Sequence, residues 1–167
     1  MSTRAPEPRW LSEEEQRTWR AYLASTQLVS DALDRQLQRD ARMPHAYYSL
    51  LVWLSETPDR RMRMTDLAER SKITRSRLSH AISRLEDNGW VRRENCPSDR
   101  RGQLAVLTDE GFAALAAAAP GHVEAVRGAI FDPLSEEQVR QLGEICRAIA
   151  EGLQPRDGEA GDLPWLR

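Results

Sequence analysis

Residues 64–108 read MTDLAERSKITRSRLSHAISRLEDNGWVRRENCPSDRRGQLAVLT, and this stretch decides the fold. Its first half carries two short amphipathic helical patterns. Its second half carries two strand-like runs joined by a polar turn with adjacent arginines. In the second helical pattern Leu78, Ala81, Ile82 and Leu85 recur at intervals of three and four, which align side chains along one helix face. Thr74 is placed to cap this helix. Projection at about 100° per residue leaves Ser76, Arg77, Ser79, His80, Ser83 and Arg84 on the opposite face. Asn88-Gly89 ends the helix, with Gly89 as the left-handed residue after it. Trp90 to Arg93 and Gln103 to Leu107 then form a hairpin around the turn PSDRRG. The preceding helix is predicted to start at Thr65 as N-cap, turn Leu67 and Ala68 inward and end near Ser71, with a third short strand over residues 62–64.

Helix, turn, helix and hairpin in this order form a winged helix-turn-helix, whose second helix fits the major groove of DNA. Side chains that read base edges must come from the end that enters deepest, so Thr74, Arg75, Ser76, Arg77, Ser79, His80 and Arg84 are the candidate readers. Asp99, Arg100 and Arg101 are the candidate wing contacts. A narrow minor groove concentrates negative potential and attracts guanidinium groups, so Arg101 is expected to enter or flank it, with Arg100 nearer phosphate.

Charge distribution agrees. Of 167 residues, the window 60–101 carries twelve Lys and Arg against six Asp and Glu, leaving −8 for the rest of a chain whose total is −2. A basic module in an acidic protein attracts a phosphate backbone locally. Only Lys72 among the 24 basic residues is lysine, a bias that a GC-rich genome would also produce, so the number of arginines by itself is not a number of phosphate contacts. A hydrophobic content of 40% supports one core. No apolar run of about 18 residues exists and MSTRAPEPRW has no hydrophobic leader, so a cytoplasmic protein with no membrane partner is expected. Cys96 and Cys146 have neither zinc-ligand nor disulfide-framework spacing. Cys146 is expected to pack as an apolar residue and Cys96 to be exposed in the turn. His45, His80 and His122 fall on different elements, which argues against a metal site. No nucleophile with a base, metal cluster or phosphate-cradling loop is visible, so no enzyme and no cofactor are expected.

The flanks are helical. Ser12 with Glu13, Glu14 and Glu15 makes a capping box for a helix running to about Arg39, with Trp19, Tyr22, Leu23, Leu28, Val29, Leu33 and Leu37 at helical spacing. A nearly all-apolar helix over residues 44–55 should lie centrally. Thr108-Asp109 starts a long helix in which Pro120-Gly121 predicts a kink or break. Ser135 caps a last helix bearing Val139, Leu142, Ile145, Cys146, Ile149 and Leu153. The fold class is therefore mostly α with a small β-hairpin wing, a winged helix-turn-helix core between dimerisation helices. The expected organisation is an N-terminal tail (1–9), a dimerisation helix (10–40), the DNA-binding domain (41–108), dimerisation helices (109–153) and a tail (154–167) in which Trp165 is the unusual residue. The outer helices carry apolar faces with no partner in a winged core. A homodimer is expected, placing two recognition helices one DNA turn apart, about 34–36 Å, on a pseudo-palindromic operator in double-stranded DNA.

The sequence resembles the MarR family of bacterial transcription regulators. The resemblance runs through ITRSRLSHAISRLEDNGWVRR, the wing DRRG and LTDEGFAAL, in family order and spacing, and covers residues 12–152. Asp99-Arg100-Arg101-Gly102 is similar to the family's Asp-x-Arg-Gly wing, which implies that the acid braces the hairpin and the arginine meets DNA. Lys72 stands at a turn position where many simpler helix-turn-helix proteins carry glycine. The resemblance further implies repression as the default and a small aromatic or phenolic ligand in a crevice beside the first two helices. Trp19, Tyr22, His45, Tyr47, Tyr48 and Trp53 are the candidate lining. The peroxide-sensing branch carries its cysteine near the start of the first helix, where this chain has none. The alternatives are a winged-helix protein-interaction module and a redox-responsive regulator acting through Cys96 or Cys146.

Overall fold

In chain order the elements are α1 (Glu13–Ala41), α2 (His45–Ser55), a 3-10 turn (Pro58–Arg60), β1 (Arg61–Arg63), α3 (Met64–Ser71), α4 (Arg75–Asp87), β2 (Val91–Cys96), β3 (Asp99–Leu107), α5 (Asp109–Val126), a π turn (Arg127–Phe131) and α6 (Glu136–Gly152). The computed structural model describes residues 7–97 and 99–153, with backbone alone at Arg100 and Arg101. The expectations for the two wing-tip guanidinium groups, Trp165 and the C-terminal tail lie outside the described residues.

Four helices start on a hydroxyl side chain that accepts an amide hydrogen bond from the first turn: Ser12 for α1, Thr74 for α4, Thr108 for α5 and Ser135 for α6. The first and last are full capping boxes, closed by Glu15 and Gln138 on the cap amides. The Ser12 amide and hydroxyl hold the Glu15 carboxyl below its ordinary range.

The core is centred on α2. Leu50, Leu51 and Leu54 pack with Leu37 at the end of α1, Met43, Leu67 of α3, and Leu78, Ile82 and Leu85 of α4. Val91, Ala105 and Leu107 close this cluster from the sheet, and Leu115 and Ala118 from α5. The sheet is antiparallel in the order β1-β3-β2. Arg61 faces Val106 on one side of β3, and Val91 faces Leu107 on the other. Gly89 has φ +72°, as a left-handed stop to α4 requires. Gly111 serves another purpose: a Cβ there would lie 2.1 Å from the Trp90 carbonyl oxygen, so only glycine lets α5 seat against the start of β2. Thr108 secures that seat by donating from its hydroxyl to the Gly89 carbonyl at 2.7 Å.

Several local expectations are corrected. The third strand is Arg61–Arg63, and the chain passes from it directly into α3, so Arg63 is the N-cap and Thr65 lies inside the first turn. The Thr65 hydroxyl donates to Asp66. Pro120 does not break its helix: α5 continues to Val126, and the irregularity comes later as the π turn. Gly121 beside it lies against α1, where a Cβ would sit 3.3 Å from Gln36 Nε2. Cys96 is buried against Gly102 and not exposed in the turn, because β2 runs on to it through the register shift at Asn95/Cys96; Cys146 is exposed in the single chain, on α6, which buries none of its residues.

Outside the core the helices differ. α1 buries only Leu33, Gln36 and Leu37, at its C-terminal end, and α6 buries no residue. Leu11, Trp19, Tyr22, Ile145, Ile149 and Leu153 line an open apolar groove between the start of α1 and α6. No helix among the described residues is long and apolar enough to cross a membrane.

Candidate nucleic-acid interface

Helix α4 is amphipathic in the sense the sequence predicts. Leu78, Ala81, Ile82 and Leu85 are buried, while Arg75, Ser76, Arg77, Ser79, His80 and Arg84 are exposed. Thr74 fixes the start of the helix by accepting the Arg77 amide at 3.3 Å, so its hydroxyl acts as a cap. Ser83 departs from the exposed set. It is half-buried and its hydroxyl donates to the Ser79 carbonyl at 3.0 Å. Lys72 holds a left-handed conformation (φ 53°) in the turn between α3 and α4, the place where glycine is common in such turns.

Ion pairing sorts the basic residues of this region. Arg60 pairs with Asp109, Arg61 and Arg92 with Glu94, Arg63 with Asp99, Arg70 with Glu56, Arg84 with Asp87 and Arg93 with Glu86. Among the described residues, Lys72, Arg75 and Arg77 make no such pair, and all three are exposed around the start of α4. Internal pairing therefore leaves positive charge at the end of the helix that would enter a groove deepest, where a phosphate or a guanine edge gains most from it. Asp99 stands 3.8 Å from Arg63 of β1, which ties the root of the turn to the far strand. Gly102 permits this closure, since a Cβ there would come 3.1 Å from Asp99 Oδ2.

A contact that sequence reading missed joins α4 to the hairpin. The Arg93 guanidinium donates through Nη2 to the Ser79 carbonyl at 2.8 Å and to the Ser83 hydroxyl at 3.0 Å. Its Nη1 donates to Glu86 Oε2, and its backbone amide to Glu86 Oε1 at 2.9 Å. A trace of it exists in the sequence. Glu86 sits in the last turn of α4, where the helix dipole disfavours an acid, so a cationic partner was called for.

The six aromatic candidates for a ligand crevice are not brought into one place. Trp19 and Tyr22 stack on each other at 5.8 Å and face the open groove beside α6. Tyr47 and Trp53 pack against the core, with the Arg70 guanidinium 6.0 Å from the Trp53 ring. His45 and Tyr48 instead meet His122 of α5, with ring centroids 5.4 Å and 4.4 Å from it. His122 Nδ1 lies 3.3 Å from Oε1 of the buried Gln36, and the His45 amide donates to Asp34 at 2.8 Å. Burial pushes both imidazoles below their ordinary range; the neighbouring His45 adds to this at His122, while Asp34 opposes it at His45. Burial also raises the Tyr48 phenol. The pairing of two histidines from distant helices had no sequence signal. Among the described residues no group of three or more His, Cys, Asp or Glu could hold a metal ion.

The MarR family profile matches residues 43–102, the stretch from the start of α2 to the wing. Sco3205, a MarR family transcriptional regulator from Streptomyces coelicolor solved in complex with DNA, is similar at 64% identity with a TM-score of 0.86, over 98% of this chain and 100% of that chain. AbsC, a MarR family transcriptional regulator from the same organism, is 43% identical with a TM-score of 0.81, over 87% of this chain and 98% of its own. The transcriptional repressor YetL of Bacillus subtilis is 30% identical over 107 residues, 62% of this chain and 64% of the repressor. This chain spans between 48% and 64% of the length of the curated relatives it matches.

Proposed function

The chain belongs to the MarR family of transcriptional regulators, and on that premise we propose that it binds double-stranded DNA sequence-specifically as a homodimer and represses transcription from a pseudo-palindromic operator. The observation that carries the reading is the division of charge around α4. Neighbouring arginines are held by acids, while Lys72, Arg75 and Arg77 remain outward and without an ion pair among the described residues. Arg75, Ser76, Arg77, Ser79 and His80 read base edges, and the hairpin with Arg100 and Arg101 follows the adjacent minor groove. Residues 41–108 form the DNA-binding domain, and residues 10–40 and 109–153 pair with a second copy through the open apolar groove.

Release by a small aromatic or phenolic ligand is part of this reading. It is supported by aromatic and imidazole groups at the joint between α2 and α5, where a ligand that favours one arrangement of the joint would lower DNA affinity by linkage.

The test is selection of bound fragments from random genomic DNA across a salt titration, followed by sequencing. An inverted repeat with half-sites one turn apart is expected, with affinity falling steeply as salt rises. Failure to enrich any sequence, even at low salt, would refute the reading and favour a protein-interaction role for the winged helix.

A further inference from the structure

We propose that Arg93 is a positioning residue for DNA recognition, which locks the outer strand of the wing to the recognition helix so that both meet DNA as one rigid unit. The proposal rests on the DNA-binding reading above and deepens it. β2 is an edge strand, and the outward amide of an edge residue is left unsatisfied unless something covers it. At Arg93 the cover is Glu86 of α4, which accepts the backbone amide at 2.9 Å and also accepts from the guanidinium. The same side chain continues along α4, donating to the Ser79 carbonyl and the Ser83 hydroxyl. Three residues spread over two turns of the recognition helix thus converge on one strand residue. The side chains of Arg93 and Glu86 are 23% and 29% exposed, so much of this network is shielded from competing water.

Only arginine carries a planar fork able to satisfy a carboxylate, a carbonyl and a hydroxyl at once; lysine offers one nitrogen. The lock also assigns Ser83. With its hydroxyl committed to Ser79 and Arg93, Ser83 faces the hairpin and does not read bases. The functional consequence is geometric. A helix in the major groove and a hairpin at the minor groove gain affinity together only if their spacing is set before binding, because ordering two loose elements on contact subtracts from the binding free energy.

The experiment measures operator affinity, affinity for unrelated DNA and thermal stability of the full chain and of its Arg93→Lys, Glu86→Gln and Arg101→Ala variants, alone and in pairs. Charge alone makes a clear contrary prediction. Arg93→Lys keeps the charge and would bind normally, while Glu86→Gln removes a negative charge near the phosphates and would bind more tightly.

The lock predicts that both variants lose operator affinity by about tenfold or more, with little change on unrelated DNA. It also predicts that the loss from Arg101→Ala shrinks when Arg93 is already lysine, as coupled residues require. Strict additivity of Arg93→Lys with Arg101→Ala, or unchanged or tighter operator binding by Glu86→Gln, overturns the proposal. Should Arg93→Lys fail to fold, the Glu86→Gln and Arg101→Ala cycle decides in the same way. An unaltered chain that prefers no sequence defeats the DNA-binding reading itself, a result distinct from additivity among variants of a chain that does bind.

Discussion

The winged core and the helices that flank it treat their apolar side chains in opposite ways. From α2 to α4, Leu51, Leu54, Leu67, Ile82 and Leu85 are fully enclosed by the chain's own residues. Along α1 and α6, Leu28 is 66% exposed, Ile145 56% and Trp19 49%, although these residues recur at the same three-and-four spacing. Helical periodicity therefore says which face of a helix is meant to be covered, and says nothing about which molecule covers it. The core is finished by a single chain. The outer helices leave large apolar side chains exposed, several of them along one open groove, a feature of the kind that marks an interaction site, and the dimer proposed above completes them.

The most severe way to break this contrast is Ile145→Asp. A carboxylate at the centre of the groove lined by Trp19, Tyr22 and Ile149 would have to be buried without a partner when two copies meet. Sedimentation is expected to report a monomer, with operator affinity down by roughly 10²- to 10⁴-fold as the second half-site is lost. A variant that remains dimeric would move the interface away from α6.

Leu51→Ala sharpens the same contrast from the other side. Leu51 is fully enclosed on α2, and truncation there is expected to lower unfolding free energy by about 2–5 kcal/mol. Its melting temperature should fall at every protein concentration while the variant remains a dimer. Ile145→Asp should instead abolish the concentration dependence of melting that a dimer shows. A Leu51→Ala chain that loses its dimer along with its stability would mean that the two regions fold as one.

Arg77→Ala leaves both regions intact and touches only the exposed face of α4. If Arg77 makes a bidentate base contact, discrimination at one position of each half-site falls by about 1–3 kcal/mol, with melting and dimer state unchanged. The check is binding to a set of single-position operator variants. Equal weakening on all of them would make Arg77 a phosphate contact.

Local signals made much of this legible. Ser12, Thr74, Thr108 and Ser135 each announced a helix start, because a cap is a contact within four residues. The exposed face of α4 followed from its buried one. What escaped depended on register or on distance along the chain. The burial of Cys96 follows from β2 running on to Cys96, where the pairing jumps from Asn95–Gln103 to Cys96–Asp99, and a register shift of this kind has no signature in a strand pattern that ends at Arg93. Thr65 looked like a cap because the short strand was placed at 62–64; with β1 at Arg61–Arg63 the helix starts at Met64, and a shift of this size leaves no trace in the pattern. The Arg93 lock spans the turn between α4 and β2, and Glu86 was visible only as an acid at the wrong end of a helix. The meeting of His45 with His122 is a tertiary event with no periodicity behind it.

That meeting supplies the smallest of the expected effects, and it lies on the seam between the two regions, since His45 is in α2 and His122 in α5. The charged groups facing it are Asp34, which accepts the His45 amide, and Asp40, which receives the Gln36 side-chain amide while Gln36 meets His122. Burial lowers both imidazole pKa values below the ordinary 6.5; at His45 the Asp34 carboxylate opposes this, and at His122 the neighbouring His45 adds to it. A histidine with a lowered folded pKa binds fewer protons when folded than when unfolded. Its contribution to stability is therefore fully present above pH 6.5 and is lost as pH falls through that value toward the folded pKa. Thermal melts from about pH 8 down to about pH 5 should show a decline that is shallower in His122→Gln, which removes the ring whose charge both burial and its neighbour disfavour. Amide exchange should quicken first where α2 meets α5, because protonation there places charge between the finished core and the helix that leads to the dimer face. Parallel pH profiles for the two proteins would show that the pair titrates without straining the seam.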